Sequence, residues 1–378
     1  MSRYAHLGVY SDLVDATPGP AAWADRPTQE TVRQVVDDVL VASSPQPAVA
    51  DRPLDVRVER RWQADGLDGE ELSWSVGYGP RTRAWLLKPA GAEEPLPGVL
   101  ALHDHGGFKY YGKEKIADGP EPTLPELVEL RQGYYGGRPL ANDLAREGYV
   151  VLVPDVFGWG SRRFPPEELP EMIRRLGEQS VPPPHGTEPE AVAHYNTAAW
   201  HHEHLLEQYC VLLGTSFAAV VAYEDRVALR YLVGRPDTTD RVGSIGLSGG
   251  GCRSVLLRAT APQLTAAVVV GMMGTYGSLL DHNVLSHTWM VTPAGLGGRV
   301  DWPDVAAVAA PKPLLVQYDR EDPLFPLAGA EAADERIRAH YAAAGRPEGY
   351  TGRFYDGPHK LDRAMQRDAF DWLGAHLR

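Results

Sequence analysis

Cysteine is nearly absent: Cys210 and Cys252 are the only two in 378 residues. No disulfide framework can hold such a chain, and both are expected as buried free thiols of an intracellular protein. Positive charge is also scarce, with 37 Lys and Arg against 50 Asp and Glu and a formal net charge of −13. Binding to nucleic acid rests on basic side chains that neutralise phosphates, so this balance argues against a nucleic-acid partner. No apolar run reaches the roughly 18 residues that span a bilayer, and the first residues, MSRYAHLGVYSDLVDATPGP, lack a basic region followed by an apolar stretch. The expectation is a cytoplasmic protein with no membrane partner. Internal repeats are missing, and low complexity is confined to short proline clusters such as Val181 to Pro184, which argues against solenoid and linker architectures.

What is present is apolar material, 43% of the chain, enough for a substantial core. Residues 1–55 read as an N-terminal arm, with helical spacing in TQETVRQVVDDVLV (Thr28 to Val41) and a Pro- and Ser-containing link, SSPQPAVADRP, after it. From Asp55 to Pro89, the stretches VRVERRW, ELSWSVGYG and RTRAWLLKP suggest antiparallel strands at a sheet edge. The pattern then changes to short apolar strands, PGVLALHDH, GYVVLVPDV, RVGSIGLS, AAVVVGMM, KPLLVQYD and GRFYDG, with helical stretches between most of them. This alternation predicts an α/β fold, a mostly parallel central sheet with helices on both faces, over residues 56–378. Two connections, about 108–137 and 158–209, exceed ordinary loop length and read as lid-like insertions.

One serine stands out. Gly246-Leu247-Ser248-Gly249-Gly250 places Ser248 between an apolar strand and a helical stretch, the strand, tight turn and helix setting that presents a nucleophile. The rival, Ser216, precedes a long helical pattern with no clear strand before it and reads as a helix-start serine. Cys252 lies on the following helix, away from the turn. A serine needs a base and an orienting acid, which in this setting follow it in the order serine, acid, histidine. Of the histidines beyond Ser248, His340 sits in a helical pattern and His376 at the end of the last helix. His359 lies in the Gly-Pro loop of FYDGPHKLD, after the last strand, and is the candidate base. The acid is sought in DREDPLFP, where Asp319, Glu321 and Asp322 are available. Asp322 is chosen, because Pro323 stiffens the turn after it and its neighbours are apolar. Asp319, nearer the strand end, is read as structural, and Asp281 is a minor candidate.

An oxyanion needs backbone donors. The amide of Gly249 is one, and that of His105 in His103-Asp104-His105-Gly106-Gly107 is the other, with Gly106 the alternative. A metal is not expected: alternate side chains of an extended segment face opposite ways, and His201, His202 and His204 in AAWHHEHLLEQYC read as a polar helix face or pocket wall. Candidate wall residues are Gly106, Tyr110, Tyr111, Tyr134, Tyr135 and Trp159, with Met272, His287 and Trp289 after the next strand.

With LHDHGG, GLSGGG, DREDPLFP and DGPHKLD in this order, and through the segment GTSFAAVVAYEDRVALRYLVGRPDTTDRVGSIGLSGGG, the chain resembles the α/β-hydrolase superfamily. Within it, residues 80–378 look like the acetyl xylan esterase and dienelactone hydrolase-like branch, with a serine where dienelactone hydrolases carry cysteine. The resemblance implies a triad of Ser248, Asp322 and His359, with Gly249 and His105 at the oxyanion hole. It also implies a cofactor-independent hydrolase of small-molecule carboxylic esters acting through an acyl-enzyme. Hydrolysis of a lactone, amide or C–C bond, or acyl transfer, could use the same triad; a peptidase or a noncatalytic binding protein is less expected. A homo-oligomer is compatible with the sequence, the arm being the place to look for a subunit contact.

Overall fold

The structure is a computed structural model describing residues 4–45, 52–180, 186–281 and 283–378. Residues 46–51 of the expected link, residues 181–185 and His282 lie outside the described residues. Nine strands build one sheet: β1 Leu54–Ala64, β2 Leu67–Ser75, β3 Thr82–Pro89, β4 Leu96–Leu102, β5 Val150–Pro154, β6 Thr238–Leu247, β7 Ala266–Val270, β8 Leu314–Asp319 and β9 Tyr350–Tyr355. Their spatial order is β1-β2-β3-β5-β4-β6-β7-β8-β9. The first three strands pair antiparallel with each other, and β3 with β5, whereas β5, β4 and β6 to β9 run parallel. The three alternating stretches therefore form the antiparallel edge, and the continuous apolar runs form the parallel centre, as the sequence pattern predicts.

Successive strand residues point to opposite faces, and the core divides accordingly. Leu100, Leu102, Ala267 and Val269 pack on one side with the helices Phe217–Val233, Gly249–Thr260 and Leu327–Ala343. Their neighbours Val99, Ala101, Val268 and Val270 pack on the other with the helices Leu140–Arg146 and Arg363–Leu377. Both faces being covered is why these strands carry no polar alternation.

The arm is more closely integrated than an accessory segment. Its helix, Gln29–Val36, starts at Thr28, whose hydroxyl accepts from the Thr31 amide at 3.1 Å. Val32, Val36 and Leu40 are fully buried in the first face of the core, and Arg33 binds the carbonyls of Ala259 and Val308 at 2.8 and 3.0 Å. The long insertions also fold. The first contains the helix Pro125–Tyr134; the second contains Glu171–Ser180 and most of Glu190–Leu212, which share a small cluster of Leu169, Ile173, Tyr195, Ala198 and Ala199. No single helix among the described residues is long and apolar enough to cross a membrane.

Because the arm completes the main core, Leu40→Ala is expected to destabilise the whole protein by about 2–5 kcal/mol, the cost of a buried leucine cavity. Urea unfolding followed by far-UV circular dichroism measures this, and an unchanged midpoint would mean that the arm is a separable appendage.

Candidate active site

Ser248, His105, Asp322 and His359 follow the carboxyl ends of strands in the parallel half, where open α/β sheets bind ligands. Strand β6 ends at Leu247, Ser248 follows, and the next helix begins at Gly249. Ser248 has φ 56° and ψ −122°, a conformation that costs a non-glycine residue of order 1–3 kcal/mol. Backbone bonds hold it there: its N–H donates to Val270 O at 2.8 Å, and its carbonyl accepts from the Cys252 amide at 2.9 Å. The flanking glycines answer to close approach, since a Cβ on Gly246 would overlap the Gly250 backbone and one on Gly249 would overlap the His105 amide nitrogen. Ser248 occupies a helix N-cap position without capping. Ser216, at the same kind of position, does cap, accepting from the Ala219 amide at 3.1 Å. One serine is used by its helix, and the other is left for a different task.

Gly249 packs against the His105 main chain, and the N–H of neither residue donates a hydrogen bond to any described residue. On another side stand Asp322 and His359. His359 Nδ1–H donates to Asp322 Oδ2 at 2.6 Å, while Asp322 Oδ1 accepts from the Leu324 amide at 2.8 Å. His359 Nε2 is buried with no hydrogen-bond partner among the described residues, and the ring and Ser248 line the same cavity. The two loops are stitched together, Arg320 N–H to Tyr355 O at 2.9 Å and Glu321 N–H to Gly357 O at 3.1 Å.

Asp319 lies between these loops rather than on the cavity. Its Oδ2 accepts from the Lys360 amide at 3.1 Å, directly after His359. Its Oδ1 is buried and unpartnered, and burial pushes its carboxyl up to about 7, with the nearby Asp322 charge adding to the rise. Among the described residues, Asp319, Asp322 and His359 are the group close enough to share a cation, but His359 Nδ1 is already committed to Asp322. His201 and His204 line the cavity, whereas His202 turns away to pack edge-on against Phe164 at 4.7 Å. His340 is bound to Asp304 at 2.7 Å, and His376 to Trp372 O at 2.8 Å, both remote from the cavity lining.

The cavity has a volume of about 640 Å³. Of the candidate wall residues, Gly106, Tyr134, Met272 and His287 line it. Tyr110, Trp159 and Trp289 stand behind the wall instead. Tyr110 packs on Tyr195 at 5.5 Å, Trp159 is buried against the His105 ring at 5.0 Å, and Trp289 donates its indole N–H to His204 Nδ1 at 2.9 Å. Trp200, His201, His204, Leu285, Leu324 and Phe325 also line it, and of these the sequence pointed only to the two histidines as wall. Glu203, between those histidines, is also buried here; its only sequence signal is a carboxylate inside a helix stretch otherwise dense in aromatic and imidazole groups.

The raised Asp319 carboxyl has a consequence for stability. In the unfolded chain an aspartate ionises near 4. Between about pH 4 and 7 the folded state therefore binds more protons than the unfolded state, so this residue's contribution falls as pH rises through that window and stays low above it. Asp319→Asn is expected to raise Tm relative to the wild type at pH 8, the gain shrinking toward zero near pH 4. Calorimetry across that range measures it, and a pH-independent difference would contradict the assignment.

No family model matches the chain. The "Putative hydrolase YtaP" of Bacillus subtilis (strain 168) is 24% identical over 307 residues, 79% of this chain and 85% of that protein. A "putative acetyl xylan esterase" from Bacteroides fragilis NCTC 9343 has a similar structure, with a TM-score of 0.62 at 16% identity, covering 93% of this chain and 82% of that one. A glucuronoyl esterase from Solibacter usitatus gives a TM-score of 0.62 at 14% identity, covering 93% and 92%. With its antiparallel edge, parallel centre and strand-turn-helix around Ser248, and with these neighbours, the chain has the α/β-hydrolase fold that its sequence motifs resemble.

Proposed function

We propose that the chain is a serine hydrolase of carboxylic esters, with Ser248 as nucleophile, His359 as base and Asp322 as the acid that orients it. The observation that carries this reading is that a serine at positive φ, His105 with its undonated amide, and a histidine whose Nδ1 is held by a buried carboxylate line one cavity, with Gly249 packed against the His105 main chain. That the similar solved structures include esterases supports the same chemistry.

In this scheme Ser248 Oγ attacks the ester carbonyl carbon while His359 Nε2 takes the hydroxyl proton. The carbonyl oxygen becomes an oxyanion and accepts from the amides of Gly249 and His105. Collapse of the tetrahedral species breaks the bond to the alcohol oxygen, which leaves with the proton from His359. Water then enters, gives a proton to His359 and attacks the acyl carbon; the carboxylic acid departs and Ser248 regains its proton. Asp322 keeps the proton on Nδ1 and stabilises the imidazolium, so that Nε2 is free to act. The helix that starts at Gly249 directs its positive end toward the oxyanion.

Selectivity follows from the wall. No lysine or arginine lines the cavity among the described residues, and burial holds His287 neutral, its imidazole pushed down to about 4. An anionic group entering there loses its hydration without gaining a cation, so uncharged esters are the proposed substrates.

The direct test uses a fluorophosphonate probe and intact mass measurement. Wild type is expected to label once, Ser248→Ala not at all, and Asp322→Asn to lose about 10³–10⁴-fold in kcat on an aryl ester. Labelling that persists in Ser248→Ala would remove the nucleophile assignment. On matched substrates, kcat/KM is expected to be at least about 10-fold higher for a neutral acyl ester than for its carboxylate-bearing analogue, in line with the cost of desolvating an unpaired charge; the reverse preference would contradict the reading of the wall.

A further inference from the structure

Buried at the joint between the helix Glu190–Leu212 and the catalytic loops is a carboxylate that the scheme above does not use. Glu203 is 4% exposed and accepts from four donors on two other segments. Oε2 takes His105 Nε2–H at 2.9 Å and the Lys109 ammonium, both from the loop after β4. Oε1 takes the Thr288 hydroxyl at 2.6 Å and the Trp289 amide at 3.0 Å, from the loop after β7. All of the carboxylate's directions are used, and the charge is matched by Lys109, whose ammonium also sits 4.4 Å over the Trp159 ring. Burial alone would raise the Glu203 carboxyl, but Lys109 and His105 more than offset it and hold the group well below the usual carboxylate range.

The arrangement fixes the His105 ring completely. Nδ1 accepts from the Gly107 amide at 3.0 Å, so the proton is on Nε2, where Glu203 receives it. The ring stands edge-on to Trp159 and Trp200, with centroids 5.0 and 5.6 Å away. From below, Lys115 holds the Asp104 carbonyl, which is the other end of the same peptide group as the His105 N–H, and reaches the His105 carbonyl at 3.2 Å. The proposed oxyanion donor is therefore clamped through its peptide by Lys115 and through its side chain by Glu203.

We propose that Glu203 is a positioning residue for the oxyanion hole. It links the helix of the second insertion to the His105 peptide, so that the second oxyanion donor is set only when that helix is seated. Lys109 is part of the device, because an uncompensated carboxylate this near would oppose the charge that forms on the substrate oxygen. A purely structural role, gluing the helix to the body, would need no match to the His105 tautomer. This inference rests on the ester hydrolase reading, since the His105 amide matters only where an oxyanion forms.

The test compares Glu203→Gln, His105→Asn and the double variant on a neutral aryl ester, with Tm and far-UV circular dichroism as folding controls. In Glu203→Gln the amide NH₂ can face the His105 Nε2–H, setting donor against donor. The expected result is a fall in kcat of about 10- to 100-fold with KM within about 3-fold, somewhat below the loss of a whole oxyanion donor. The double variant is expected to be no worse than the poorer single variant, because both break one link. Multiplicative losses in the double variant, or a changed KM with an unchanged kcat, overturn the proposal. If Glu203→Gln does not fold, Glu203→Asp and its double variant with His105→Asn carry the same test, with the same loss in kcat expected and an unchanged kcat overturning it. Ser248→Ala is run beside them: wild-type turnover by that variant defeats the serine hydrolase reading with Ser248 as nucleophile, whereas Ser248-dependent turnover that is indifferent to Glu203 defeats this inference alone.

Discussion

The backbone of Ser248 is held at a positive φ, and the surrounding structure is arranged so that it cannot relax. Strand β6 enters one side of the turn, a helix leaves the other, Val270 of the neighbouring strand takes the Ser248 amide, and the main chain of His105 presses against Gly249. The contacts come from β6, from β7, from the loop after β4 and from the following helix, so the conformation is anchored in the parallel centre of the fold. A local cost of a few kcal/mol is tolerable only when a whole core opposes its release. The same turn brings Gly249 against the main chain of His105, so the proposed nucleophile and the proposed oxyanion donors share one packing arrangement.

Much of this was legible in the sequence because it is periodic or punctuated. Apolar runs such as VVLV and AAVVV mark strands covered on both faces, and the alternation in β1 to β3 marks the edge. The glycines around Ser248 and the Gly-Pro before His359 mark turns at strand ends, and chain order then pairs serine, acid and histidine. Ser216 was separable from Ser248 for a related reason: the residue before a long helix without a strand is a cap, and it does cap. What sequence could not supply is the facing of side chains in the insertions. Trp159, Tyr110 and Trp289 are loop aromatics near the site, yet whether such a ring forms wall or scaffold depends on partners far away in the chain. Trp200 lines the cavity instead, carried there with His201 and His204 by the helix Glu190–Leu212. Glu203 was hidden most thoroughly, since its partners are 98, 94 and 85 residues away and helical periodicity reports only a helix's own face.

The insertions also change how the cavity should be understood. A wall alone could be apolar, but this one is tied to the body by a buried, charge-compensated network. Charges so placed are costly unless every donor and acceptor is matched, and here Glu203 is matched on both oxygens. Burial also lowers the imidazoles of His105, His202 and His287. The His105 tautomer is thereby fixed by its hydrogen bonds to Glu203 and Gly107, and His359, which lines the cavity with Ser248, has a buried Nε2 without a partner among the described residues.

The central proposal is that covalent chemistry passes through Ser248. Rapid acid quenching during turnover of a slowly deacylating ester, followed by intact mass measurement and peptide mapping, observes this directly. One acyl group per chain, located on the peptide at Ser248 and appearing at the rate of the product burst, is the expected result. Full turnover with no acyl group on that peptide, or with the acyl group on another residue, would contradict it.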